Sequence, residues 1–298
     1  MDRRDFLKNL LAVAALAPVS KINTAFAAPA EKPLSGKVSR RRLMPVNLIT
    51  LGTGAGNPSM TRDNSCTFLQ AGKYSYLIDA GCHVSSKIIR KGLDFNDIKA
   101  VFITHMHEDH FGGLTSFLKN RMVKNGPYNR PGKWKGFWPE VWMPEADGIK
   151  AFDMLMQVAG YQGRERITWK LIKPGLFYDD GYLKATAIPN KHIKSGDGFR
   201  PSYCFLFEVE GKKILCTGDL RSDLSDFPVE AAKDADLVMC ENTHFLPVKR
   251  LDIFKSIKPG KLIFNHNSER NTAQFEDVKK AVNYPVFIAN DGDEFTVE

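Results

Sequence analysis

From residue 46 onward the apolar positions fall in short runs separated by glycine-rich or polar turns, and only a few stretches carry helical spacing. Residues 46–51 form an apolar run ending in Gly52-Thr53-Gly54, a strand entering a glycine loop. Residues 67–71 and 74–79 flank Gly72-Lys73 and predict a hairpin. Residues 203–209 and 213–217 flank Glu210-Gly211 and predict a second one. A helix is expected at 84–91. Residues 100–104, Ala-Val-Phe-Ile-Thr, form a continuous run typical of a strand buried on both faces. The chain then passes through His105-Met106-His107-Glu108-Asp109-His110 into a helix reaching Leu118. Strands follow at 141–143, 167–172 and 183–188, with a helix at 146–158. Strands at 237–240, 262–264 and 286–288 are separated by helical stretches near 248–256 and 272–282. Strands come first in meanders and later alternate with helices, and no segment repeats. This order predicts one α/β domain over 46–298, with two packed sheets and helices outside.

Composition narrows the function. The chain has 298 residues, 43% hydrophobic and 26% charged, enough apolar material for a large core and too much for a disordered chain. The formal charge of +8 suggests an anionic partner, but nine of the 42 basic and three of the 34 acidic side chains lie in residues 1–45. The remainder is nearly balanced, which argues against a domain that coats a nucleic-acid polymer. Five cysteines show no Cys-x-x-Cys spacing. Cys204 and Cys216 fall on adjacent expected strands and can meet in an oxidising compartment, although buried free thiols are the preferred reading.

The first 45 residues read as a leader and a tether. Arg3 and Arg4 precede a mostly apolar stretch, residues 7–19, too short to span a bilayer, and Ala25-Phe26-Ala27 offers a small-x-small cleavage site. The run Arg3-Arg4-Asp5-Phe6-Leu7-Lys8 resembles a bacterial twin-arginine export signal, with Asp2 where that pattern usually has Ser or Thr. The alternative is an amphipathic N-terminal helix. The expected division is a signal peptide at 1–27, a polar tether at 28–45 and a folded domain at 46–298. The resemblance implies the twin-arginine machinery as a partner, a periplasmic location and no membrane span in the mature chain. That route carries folded proteins, so a metalloenzyme fits it.

The densest chemistry lies in the histidines. There are seven, and three fall within His105–His110. Two imidazoles two residues apart on an extended segment point to the same side and can grip one metal ion. Asp109 and His110 can turn towards a second ion as the helix begins. The pattern is not the zinc-protease His-Glu-x-x-His helix, because residue 111 is Phe.

Thr104–Leu114, Thr-His-Met-His-Glu-Asp-His-Phe-Gly-Gly-Leu, resembles the His-x-His-x-Asp-His signature of the metallo-β-lactamase superfamily. The resemblance extends over residues 46–298 and implies a four-layer αββα sandwich, two mixed sheets with helices on the outer faces. It also implies a ligand set. His105, His107 and His192 match the first metal site, Asp109, His110 and His266 match the second, and Asp219 matches the carboxylate shared by both. Two divalent ions are expected, zinc first, with manganese or iron as alternatives. Such ions sit roughly 3.5–4 Å apart and can share one hydroxide nucleophile. Asp109 can also accept a hydrogen bond from that nucleophile, which makes it a catalytic candidate. For His192, Asp219 and His266 the alternative is an ordinary loop residue; their order along the chain and their place at strand ends argue against it. His83 matches no ligand position and reads as a polar residue entering a helix.

Further motifs resemble one branch of that superfamily, containing ribonuclease Z, arylsulfatases and cyclic-nucleotide phosphodiesterases. They are Leu51-Gly52-Thr53-Gly54-Ala55-Gly56-Asn57-Pro58, Arg62, Asn64-Ser65, Leu77-Ile78-Asp79-Ala80-Gly81, Glu241-Asn242-Thr243 and His266-Asn267-Ser268. Ribonuclease Z carries a proton-donating histidine between the last two motifs, whereas residues 245–265 here contain none. His244 is the nearest candidate donor, with Glu241 to orient its ring; a polar residue closing a strand is the equally weighted reading. Residues 119–138 form a basic and aromatic insertion, read as a rim over the site or, less favoured, as a base-stacking surface. The expected function is an exported dinuclear hydrolase of small-molecule phosphodiesters, cyclic nucleotides among them, or of aryl sulfates. A lactonase or β-lactamase is the runner-up, and a non-catalytic metal-stabilised binding protein is the alternative of a different class.

Overall fold

A computed structural model describes residues 44–57, 59–122 and 138–297. The expected leader and the tether as far as residue 43 lie outside the described residues, as does the insertion from 123 to 137. Among the described residues no helix is long and apolar enough to cross a membrane.

Two seven-stranded sheets face each other. The first contains β1 (Val46–Gly52), β2 (Cys66–Ala71), β3 (Tyr74–Ile78), β4 (Ile98–Phe102), β5 (Glu140–Met143) and β6 (Thr168–Leu171). The second contains β7 (Gly175–Asp179) and β8 (Leu183–Pro189). After a short ribbon, β9 (Lys194–Ser195) with β10 (Gly198–Phe199), it adds β11 (Tyr203–Val209), β12 (Lys212–Cys216), β13 (Leu237–Asn242), β14 (Leu262–Asn267) and β15 (Val286–Ile288). The last strand, β16 (Glu294–Val297), returns to the first sheet and pairs antiparallel with β1. The orders are β16-β1-β2-β3-β4-β5-β6 and β15-β14-β13-β12-β11-β8-β7, and both sheets mix parallel with antiparallel pairs.

Alternation along the strands separates three apolar layers. Between the sheets, Phe102 of β4 meets Phe205 and Phe207 of β11 and Tyr178 of β7. The outer face of the first sheet packs on α1 (Val84–Arg90), on α3 (Leu114–Met122) beyond the short α2 (Glu108–Phe111), and on α4 (Ala146–Val158). The outer face of the second packs on α5 (Val229–Lys233), α6 (Leu251–Ser256) and, beyond the single turn α7 (Glu269–Thr272), α8 (Phe275–Ala281). The result is the four-layer αββα sandwich. Each fully buried Phe in these layers contributes about 1.5–3 kcal/mol.

Several boundaries differ from the sequence expectation. The strand before the histidines is β4 at Ile98–Phe102 rather than 100–104, because Thr104 leaves the ladder and donates its N–H to the Asp79 carboxylate. The helix expected to run on to Leu118 divides into α2 and α3 around Gly112-Gly113. Edge strands β7 and β16, and the helix α5, carried too little apolar alternation to be read. Cys204 and Cys216 do not meet. The register pairs Phe205 with Cys216, so Cys204 faces the outer layer while Cys216 faces the layer between the sheets. All five thiols are free.

Candidate metal centre

β8, β12, β13 and β14 run in one direction, and their C-terminal ends gather where β4 also ends. Backbone bonds tie the two sheets there: Tyr203 N–H donates to Thr104 O (3.1 Å), and Asn267 N–H donates to Thr53 O (2.7 Å). The extended segment after β4 places His105 and His107, and α2 turns Asp109 and His110 inward. His192 follows β8. Asp219 follows Gly218, whose φ is +55° and where a Cβ would lie 2.9 Å from Tyr203 O. His266 sits on an irregularity in β14: Glu241 pairs with Asn265 and Asn242 with Asn267, so one extra residue bulges out at φ +49°. Bulges re-aim a side chain, and this one brings His266 to the cluster.

All seven expected ligands converge, in two groups whose donor atoms lie within 4.8 Å of one another: His105, His107, His192 and Asp219, then Asp109, His110 and His266. His107 Nδ1 is 3.0 Å from His105 Nε2 and 3.2 Å from His192 Nε2. Asp219 stands between the groups. Its Oδ2 is 3.6 Å from both His105 Nε2 and His192 Nε2 and 3.4 Å from His266 Nε2, and its Oδ1 is 3.3 Å from His110 Nε2. Asp109 Oδ2 lies 3.6 Å from His110 Nε2 and 3.7 Å from His266 Nε2.

These residues fit divalent cations. Thr104 Oγ1 donates to Asp79, so His105 Nδ1–H donates to Thr104 Oγ1 (3.0 Å). His110 Nδ1–H donates to Asp79 Oδ2 (2.7 Å), and His192 Nδ1–H donates to Leu220 O (3.3 Å). Each bond fixes a ring and turns its Nε2 inward, the usual arrangement behind a metal-binding histidine. His110 Nε2 and Asp219 Oδ1 are fully buried without a hydrogen-bond partner, although they face each other. Burial pushes His105, His107 and His192 below the ordinary imidazole value, leaving them neutral with free lone pairs. Burial alone would raise the Asp219 carboxyl, but His266, His110 and His105 hold it well below the usual range. Burial likewise opposes charge on His110, yet Asp219 and Asp79 hold that imidazole well above its ordinary value. The pocket therefore demands positive charge, and a cation meets the demand better than one proton.

Glu241 and His244 adjoin this cluster. The buried Glu241 carboxylate accepts from the backbone N–H groups of Leu220 (2.8 Å), Thr243 (2.9 Å) and His244 (2.9 Å). His244 Nδ1 lies 3.0 Å from both Glu241 oxygens. The ring is a third exposed and 4.6 Å from the His192 ring. Its Nδ1 is also 3.8 Å from Asp219, close enough to form a third group with Asp219 and His266, but Glu241 already occupies that nitrogen. Burial disfavours charge on the ring, and the Glu241 carboxylate more than compensates, holding its pKa up to about 9. His83 stands apart, capping α1 with its ring 3.2 Å from Asp63.

Sequence reading did not assign Asp79 a role. It lies just past β3 at φ +58°, 2% exposed, and its two oxygens anchor Thr104 and His110. The only signal was its place in Leu77-Ile78-Asp79-Ala80-Gly81. Thr104 escaped too: no spacing along the chain links Asp79 to Thr104 and His110, which lie 25 and 31 residues further on.

Fold and site together define a member of the metallo-β-lactamase superfamily. Within it, the chain belongs to the family described as Anti-Pycsar protein Apyc1, which matches residues 46–245. That span holds every expected ligand except His266. Ribonuclease Z of Brevibacillus brevis (strain 47 / JCM 6285 / NBRC 100599) is 27% identical over 239 residues, 78% of this chain and 69% of the relative. Ribonuclease Z of Listeria monocytogenes serotype 4b (strain CLIP80459) is 28% identical over 159 residues, 52% of this chain and 48% of the relative. The chain thus spans about half the length of the first curated relatives it matches. The metallo-β-lactamase fold protein YhfI of Bacillus subtilis superposes with a TM-score of 0.68 at 20% identity, covering 85% of this chain and 99% of that one.

Proposed function

We propose that the protein is an exported hydrolase of small phosphodiesters that holds two divalent ions. The observation that carries this reading is the pair of ligand groups joined by Asp219, with an oriented imidazole, His244, at their edge. His105, His107 and His192 would hold one cation, Asp109, His110 and His266 the other, and Asp219 would contact both. When bound, divalent cations lower the pKa of water towards neutrality and offset the charge of an anionic ester. Asp109, with an oxygen aimed into the cluster, accepts a hydrogen bond from the attacking water and aims it. Glu241 fixes the His244 ring through Nδ1, which leaves Nε2 to pass a proton to the departing oxygen. The ribonuclease Z relatives are nucleases by name, and a small phosphodiester contains the same ester.

The test is a substrate panel on protein loaded with zinc, manganese or iron: bis(p-nitrophenyl) phosphate, a cyclic nucleotide, a short RNA, p-nitrophenyl sulfate, a lactone and nitrocefin. Turnover of the two small phosphodiesters, with about two ions per chain by elemental analysis, is expected. Turnover of the lactone or nitrocefin alone would assign the runner-up activity, and no turnover with two ions bound would leave a binding protein.

A further inference from the structure

Beyond the cluster, on the far side of His244, the surface opens into a cavity of about 280 Å³. It is lined by His244, Ser222, Ser268 and three cations: Lys249, Arg250 and Arg270. No carboxylate lines it, and none of the three cations forms an ion pair among the described residues. In a domain whose acidic and basic side chains nearly balance, three unpaired cations around one cavity are an uncompensated positive field. The walls are held in place. Asn271 donates to the carbonyls of Asn242 (3.1 Å), Thr243 (3.1 Å) and Phe245 (2.7 Å), which fixes the turn carrying His244. Ser268 Oγ caps α7, accepting from Asn271 N–H at 3.4 Å, and keeps its own proton to donate.

From this we infer that the cavity is a subsite for a second, non-scissile phosphate, carried on the departing half of the substrate. Arginine guanidinium groups match a phosphate in planar, two-toothed fashion, and a lysine adds a point charge. Because His244 lines both the cavity and the cluster, a phosphate held there places the departing oxygen beside the imidazole. The inference rests on the phosphodiesterase reading above and narrows it: the preferred substrates are small phosphodiesters that carry an additional phosphate monoester.

Calorimetric titration of the metal-loaded protein with 2′-deoxyadenosine 3′,5′-bisphosphate and 2′-deoxyadenosine 5′-monophosphate tests it. The bisphosphate should bind at least about tenfold more tightly. In the triple variant Lys249→Gln, Arg250→Gln, Arg270→Gln the ratio of the two affinities should fall to about one, while Lys249→Arg should keep it. If the triple variant does not melt cooperatively, Arg270→Gln alone should reduce the ratio severalfold. Equal affinities in the unaltered protein, or a ratio that survives removal of the charges, would overturn the subsite. Hydrolysis of bis(p-nitrophenyl) phosphate by the same preparation reads the parent assignment separately. If it is absent, that assignment fails, and the affinity ratio still decides the subsite.

Discussion

At the scale of single residues, the centre depends on side chains that would never touch a metal. Asp79 is the clearest case, since one carboxylate holds Thr104 and His110 and, through Thr104, His105. Asp79→Asn keeps the shape and tolerates the positive φ, but its amide offers one acceptor oxygen where two are used. Metal affinity should fall about 10- to 100-fold. Titration with zinc against a competing chelator measures this, and unchanged affinity would show that the histidines hold their own orientation. His244→Ala tests the proposed donor. A departing alkoxide needs a proton, whereas nitrophenolate leaves without help. The variant should therefore slow cyclic-nucleotide hydrolysis by about 100-fold or more and bis(p-nitrophenyl) phosphate much less. Equal losses on both, or a lost ion, would make His244 structural.

At the scale of elements, the short helix α2 is fixed by the loop after β3. Ala80 N–H donates to His110 O (2.7 Å), and Gly113 N–H donates back to Ala80 O (2.8 Å). The two backbones are so close that a Cβ on Gly113 would lie 2.2 Å from Gly81 O. That contact explains why the helix divides where it does: the chain needs two residues without side chains to pass. Gly113→Ala should cost about 1–3 kcal/mol as the backbones part, and should loosen the cation proposed for Asp109, His110 and His266. A thermal melt and metal retention after dialysis report both effects. A melting temperature equal to that of the unaltered protein would mean that the loop yields freely.

At the scale of the whole molecule, the sheets are clasped by a partly buried acid, Asp180. Asp180 accepts from Tyr76 on β3 (2.9 Å), from Lys99 on β4 and from Tyr178 on β7 (3.1 Å). Burial opposes its ionisation, but donors including Leu183 N–H, Lys99, Tyr182 N–H and Tyr76 hold its carboxyl below the ordinary value of 3.8. The stabilisation is thus complete above that value and is lost as pH falls through the lower folded-state value. Asp180→Ala should destabilise by about 2 kcal/mol, discounted for partial exposure, and should flatten the acid side of the stability profile. Urea melts from about pH 2 to about pH 5, the range in which carboxylates titrate, measure it; parallel profiles for the two proteins would exclude the clasp. Export belongs to the same scale. If Arg3 and Arg4 form the signal, replacing both with Lys should leave uncleaved precursor in the cytoplasm on fractionation. Normal export of that variant would assign another route.

The sequence alone determined the strand runs, the hairpins and the local grip of His105, His107, Asp109 and His110. Each depends on neighbours a few residues apart, where the two-residue period of an extended chain and the first turn of a helix decide which side chains face together. It could order His192, Asp219 and His266 only by resemblance, because no period links residues 85 apart, as His107 and His192 are. Tertiary structure decided the rest. Parallel strands ending at one edge carry those three side chains to the cluster, and a bulge with positive φ turns His266 inward. A carboxylate from the neighbouring strand sets the rings of the first motif. Such choices depend on which strand lies beside which, and pairing across a sheet is settled by burial of the whole core rather than by any local pattern.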